Sequence, residues 1–128
     1  MTRISPLQRA PDGRRVDQPG NDARSPRLAL AALARDTALA VDGVVALDAG
    51  TGGLFVTAGG GESIPGVRCL AAPEGGYDLS LRLVCRLVPL PALGERVREA
   101  VGLAARSAGL ALATVTITIA DIAVDDPA

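Results

Sequence analysis

The chain contains no histidine, no lysine and no tryptophan, and it has a single tyrosine, Tyr77, and a single phenylalanine, Phe55, among 128 residues. Each absence removes a chemistry. Without histidine there is no side chain that ordinarily trades a proton near neutral pH, and no imidazole to bind zinc or to activate a serine or cysteine nucleophile. Without lysine there is no Schiff base and no cation for a phosphate-binding loop. With so few aromatic rings, a sheet of this chain lacks the stacking platform used to hold single-stranded RNA. Two cysteines, Cys69 and Cys85, are too few for a disulfide scaffold, and both fall on the apolar phase of alternating segments, which predicts buried, reduced thiols. Long apolar runs are absent too. The longest uncharged stretch, residues 107–120, is too short to cross a bilayer. The first 25 residues place Pro6, Pro11, Pro19 and scattered charges where a secretion signal needs an apolar core, so a cytoplasmic location is expected.

What is present is arginine, small aliphatic residues and glycine. All 13 basic residues are Arg, and they are unevenly spread. Residues 1–27 carry six Arg against three Asp, a net +3, whereas residues 28–128 carry seven Arg against eleven acids, a net −4. The negative sign of the larger part argues against DNA and RNA as partners. Residues 1–26 are rich in Pro, Gly, Asp and Arg without apolar periodicity and read as a disordered extension. Residues 27–124 read as one domain, and residues 125–128 as a short acidic tail.

Within the domain, Leu30, Leu33, Ala34, Thr37 and Val41 recur at helical spacing over residues 27–42, with Ser25 and Pro26 as cap and first-turn residue and Gly43 as the terminator. A short strand follows at 44–47. Residues 48–66 hold seven glycines around Leu54, Phe55 and Val56. Their spacing matches no nucleotide-binding fingerprint, which leaves a flexible connector or a short extra hairpin. Residues 67–71 and 77–87 alternate about the turn Pro73-Glu74-Gly75-Gly76 and predict a β-hairpin. Setting Ala72 opposite Tyr77 puts Cys69 across from Ser80, five residues or about 17 Å from Cys85, too far for a disulfide. Pro89 and Pro91 open a second helix with an apolar stripe of Leu93, Val97, Ala100, Val101, Ala104 and Ala108. Gly94 and Gly102 weaken it by about 1 kcal/mol each, a sign of close approach by another backbone. The last strand, 112–122, sets Val115, Ile117 and Ile119 on one face and Thr114, Thr116 and Thr118 on the other.

The expected fold class is α+β, with two helices packed on one face of a small, mainly antiparallel sheet of three to five strands. The open face then presents Ser80, Arg82, Arg86, Thr114, Thr116 and Thr118 as a candidate interaction face. No catalytic, cofactor-binding or metal-ligating residue is assigned. Cys69 or Cys85 as nucleophile lacks a base, and Asp78, Asp121, Asp125 and Asp126 would offer only weak, oxygen-only coordination.

Leu33-Ala34-Arg35 followed by Ala38-Leu39-Ala40-Val41-Asp42-Gly43-Val44 resembles the opening signature of the alkaline shock protein 23 family of envelope stress proteins. The strand Tyr77-Asp78-Leu79-Ser80-Leu81, the proline-opened helix from Leu90-Pro91 to Ala108, and the Gly109-Leu110 to Val115 and Ile117 pattern continue the likeness in the same order, over residues 28–124. The stretch 48–65 is longer than the family's usual connection. The resemblance implies a non-enzymatic protein of Gram-positive, high-GC bacteria that serves cell-envelope homeostasis. It further implies a homo-oligomer, held at the inner face of the membrane by a separate membrane-embedded anchor protein, with no cofactor and no small-molecule substrate. The alternative is a small RNA-binding α+β module.

Overall fold

The computed structural model describes residues 25–124. The expected leader lies outside these residues except for Ser25 and Pro26, and the acidic tail lies wholly outside them.

Helix α1 spans Pro26–Leu39. Its start is set chemically, because Ser25 Oγ accepts the Leu28 N–H at 3.2 Å and Pro26 occupies the first turn, where a missing N–H costs nothing. The helix stops three residues earlier than its periodicity predicts. Its cap is Ala40, whose N–H turns back to the Asp36 and Thr37 carbonyls. Gly43 therefore sits beyond the terminus, in the turn into the first strand, where its carbonyl accepts the Arg86 N–H at 2.8 Å. Leu28, Leu30 and four alanines of α1 are buried, and these short side chains let the helix lie close to its neighbours.

The strands are β1 (Val44–Leu47), β2 (Val56–Gly59), β3 (Glu62–Pro65), β4 (Val67–Ala71), β5 (Tyr77–Arg86) and β6 (Leu112–Ala123), with helix α2 (Leu90–Ser107) between the last two. Strand β5 organises the sheet. One of its edges is shared, with β4 antiparallel opposite residues 77–81 and β1 antiparallel opposite residues 83–85. At Arg82, between the two, the N–H donates to the Gly66 carbonyl at 3.0 Å and the carbonyl accepts the Asp48 N–H at 2.9 Å. β1 and β4 thus lie along one line, interrupted by an excursion that leaves at Asp48 and returns at Gly66.

The other edge of β5 carries β6, and the two run parallel along the whole of β5. The class is α+β and the strand pairings are mainly antiparallel, as expected; the exception is β5–β6, which is parallel because α2 acts as the crossover that such a pair requires. The excursion contains the short extra hairpin, β2 against β3, preceded by a 3-10 turn at Thr51–Gly53.

The β4–β5 register is one residue away from the expected one. Ala71 faces Tyr77 and Cys69 faces Leu79. Ala72 and Gly76 are still bridged by a 3.0 Å backbone bond, so the connection is the three residues Pro73–Gly75. Burial enforces this choice: it puts Val67, Cys69, Leu79 and Leu81 together on the buried face, whereas a one-residue slip would set Cys69 against Ser80. Cys85 is six residues along β5 from the partner of Cys69, and both thiols are free and buried.

The core lies between this face and the helices. Leu79, Leu81, Leu83 and Cys85 of β5 meet Leu30, Ala31, Ala34 and Ala38 of α1 and Leu93, Val97, Val101 and Ala105 of α2. Along α2 the buried stripe is Leu93, Val97, Val101 and Ala105, so Ala105 replaces the expected Ala104 and Ala108, and Ala100 is only partly covered. The hairpin β2–β3 extends the core with Ile64 and Thr57, both buried. Its tip is pinned to α1, where Arg27 Nη2 donates to the Ala58 carbonyl at 2.6 Å. Gly66 is buried with φ +81°, and an added Cβ would stand 2.5 Å from Leu47 Cβ and 2.9 Å from the Asp48 nitrogen. Only glycine fits where the ends of the two collinear strands abut.

Candidate interaction surface

Because side chains alternate along a strand, the face of the sheet away from the helices collects the even-numbered residues of β4, β5 and the first part of β6. The register brings Asp78 beside Thr114, Ser80 beside Thr116 and Arg82 beside Thr118. Thr114 Oγ1 donates to Asp78 Oδ1 at 2.8 Å. Thr114, Thr116 and Thr118 are exposed, Ser80 and Arg82 are half-buried, and Arg86 lies further along, exposed and 3.3 Å from Asp42. Five of the six expected face residues therefore form one contiguous polar field. Arg86 stands at its end in an exposed ion pair of little energetic worth. Arg82 is tied down more firmly, with Nη2 at 3.1 Å and Nε at 3.4 Å from Asp48 Oδ2.

The excursion adds what sequence reasoning missed. Phe55 is carried to the margin of this face, with the Arg68 guanidinium 4.6 Å from the ring centroid and that of Arg82 at 5.7 Å. The ring is thus engaged by two cations. Arg68 Nη2 also donates to the Leu54 carbonyl at 3.3 Å. Ala49, Gly50, Thr51, Leu54, Phe55, Arg68 and Arg82 enclose a cleft of about 260 Å³. In the sequence, the only signal for it was the density of glycine around a lone Phe.

The second feature is the outer edge of β6. No strand among the described residues pairs with it, and Arg98 reaches over it, its Nη1 donating to the Val115 carbonyl at 2.7 Å. Strand geometry then turns the backbone groups of Ile117, two residues on, toward the same open side. Beside this edge, Leu90, Pro91, Gly94, Glu95, Arg98, Ile117 and Ile119 line a groove of about 380 Å³. Gly94 needs no close neighbour within the chain, since a Cβ there would meet nothing within 4 Å; at Gly102 it would meet only the tip of Arg106.

Cys69 and Cys85 face the core, and burial raises both thiols above the ordinary range, with the Arg27 charge pulling Cys69 partly back. Asp78 is occupied by Thr114, and Asp121 caps the following Ile122 N–H at 2.8 Å. No three His, Cys, Asp or Glu side chains among the described residues gather into a metal cluster. No helix among them is long and apolar enough to cross a membrane. No family model, no curated protein and no solved structure matches the chain.

Proposed function

We propose that this chain is a non-enzymatic scaffold of the alkaline shock protein 23 type, which associates with itself and docks on a membrane-embedded anchor protein at the cell envelope. The observation that carries the reading is the twelve-residue strand β6, open along its outer edge and flanked by the Leu90–Ile119 groove. An open edge offers a row of backbone donors and acceptors, and it is the usual template for pairing one chain with another. Gly94 supports the same surface. A glycine inside a helix costs about 1 kcal/mol relative to alanine, and a second chain lying against the groove accounts for it where nothing among the described residues does. The order of elements also agrees with the segments that carry the resemblance, which fall on α1, β1, β5, α2 and β6 in turn. The polar field of Ser80, Arg82, Thr114, Thr116 and Thr118 remains free for the anchor.

Gly94→Arg separates assembly from folding. A Cβ at this position meets no heavy atom of the described residues within 4 Å, and a side chain there favours the helix, so the thermal midpoint is expected to hold or rise while a long cation occupies the groove. In sedimentation velocity at about 50 µM, the parent chain is expected as a dimer or larger and the variant as a monomer, about a tenfold or greater loss of association. A parent chain that sediments as a monomer throughout would sink the self-association reading.

A further inference from the structure

We propose that the cleft beside Phe55 is a docking pocket for an acidic side chain in an extended, aliphatic-rich segment of a partner protein. This rests on reading the chain as an interaction protein, and it names the chemistry of one partner. The charge is the first argument. Arg68 and Arg82 converge on one ring, and only Asp48 opposes them, placed on Arg82. Arg68 has no acidic partner among the described residues and keeps most of its donors free beyond the single 3.3 Å bond to Leu54. Arg82 uses Nε and Nη2 on a single oxygen of Asp48, so neither bond engages Nη1. Two planar forks beside one another match a carboxylate, which accepts such pairs in bidentate fashion. A local cationic excess of this kind is unusual in a region, residues 28–128, whose net charge is −4.

Preorganisation is the second argument. Phe55 N–H is held by the Ala49 carbonyl at 2.7 Å, Gly53 N–H by Gly50 at 3.0 Å, and the Phe55 carbonyl by the Gly66 N–H at 2.8 Å. The wall of the cleft is therefore built before any ligand arrives, and Phe55 keeps two like charges close by presenting its ring to both.

The apolar flank is the third. Leu54 is 75 % exposed and Leu70 is 59 % exposed, the latter two residues from Arg68 and on the same face. Positions i and i+2 of an extended peptide are about 6.6 Å apart, so an acidic side chain in the cleft sets aliphatic neighbours over these leucines. Nucleic acid fits less well. Phe55 is already covered by two guanidinium groups, and residues 28–128 as a whole carry a net −4.

The test is nuclear magnetic resonance of the full ¹⁵N-labelled chain, titrated with a blocked Leu-Glu-Leu-Glu-Leu peptide, with its Arg-for-Glu counterpart and with decauridylate. The acidic peptide is expected to move the amides of Gly50, Gly52 and Gly53 and the side-chain Nε resonances of Arg68 and Arg82. Arg68→Ala should weaken it about tenfold at an unchanged thermal midpoint, and Arg68→Lys, which keeps the charge and loses the fork, several-fold. No response to millimolar acidic peptide, an equal response to the basic one, or tighter binding of decauridylate would overturn the proposal. Sedimentation of the Arg68 variants reads the scaffold proposal separately, because association through β6 does not involve this cleft.

Discussion

The two edges of β5 are built on opposite principles. One is crowded: β4 and β1 share it end to end, an excursion of the chain buds from their junction, and that excursion folds back as a hairpin that delivers Ile64 and Thr57 to the core. The other carries a single long strand whose outer side pairs with no further strand among the described residues, with the Arg98 guanidinium on its Val115 carbonyl. On the crowded side the excursion folds over β4, where Thr57 Oγ1 donates to the Val67 carbonyl, and Arg68 and Arg82 reach outward as side chains. The open edge keeps its backbone available. A small domain can in this way present two different kinds of surface, one of side chains and one of backbone, on either side of one central strand.

The comparison breaks most severely at Gly66. Gly66→Ala forces a positive-φ conformation on a side chain that collides with Leu47, and about 2–4 kcal/mol of stability should be lost in urea unfolding. A loss below about 1 kcal/mol would mean that the two collinear strands do not abut as described. A pair of threonines gives the next contrast. Thr57, buried in the excursion, donates to the Val67 carbonyl at 2.7 Å, so Thr57→Val strands that acceptor and should cost about 1–2 kcal/mol. Thr116→Val on the exposed face should stay within about 0.5 kcal/mol. Equal effects at the two sites would erase the distinction between the edges.

The smallest effect concerns the thiols. Burial raises Cys69 and Cys85 in the folded chain, while unfolded thiols ionise near about pH 8.5. The stabilisation from keeping them neutral is complete below that pH. It falls as pH rises toward the folded values, because only the unfolded state then releases protons. Unfolding midpoints should decline above about pH 8.5, and the Cys69→Ala, Cys85→Ala double variant should flatten that decline. A slope unchanged by the double substitution would assign the titration to other groups.

The elements with an unbroken period were legible from the residues alone. The alternation of Tyr77 to Cys85, the Leu93–Val97–Val101 stripe and the Thr/Ile alternation of β6 each contain enough repeats to override local noise. The β4–β5 register was not, because Gly75 and Gly76 permit either a three- or a four-residue turn and only core burial decides between them. The direction of β6 follows from the length of the connection rather than from its own residues, since a helical crossover permits a parallel pair. Of the surface, Ser80, Arg82 and the three threonines could be read from periodicity. Phe55 and Arg68 could not, because their meaning comes from a meeting between a glycine-rich excursion and a strand, and no local pattern records such a meeting. Gly94 was noticed for its cost to the helix, and among the described residues nothing lies within 4 Å of a Cβ placed there.

The interrupted strand line has a consequence for how this protein tolerates change in length. The chain departs at Asp48 and returns at Gly66 with those two residues side by side, so the sheet is indifferent to how many residues travel between them. Lengthening such a loop is entropically mild, about 0.6 kcal/mol for each doubling. The stem is a different matter, because Thr57, Ile64 and Gly66 are buried. Gly60 and Gly61, at the tip, have open space around them. Variation in size is therefore confined to the hairpin tip, which makes that turn the natural place to graft a peptide or a reporter while the sheet, the cleft and the open edge stay as they are.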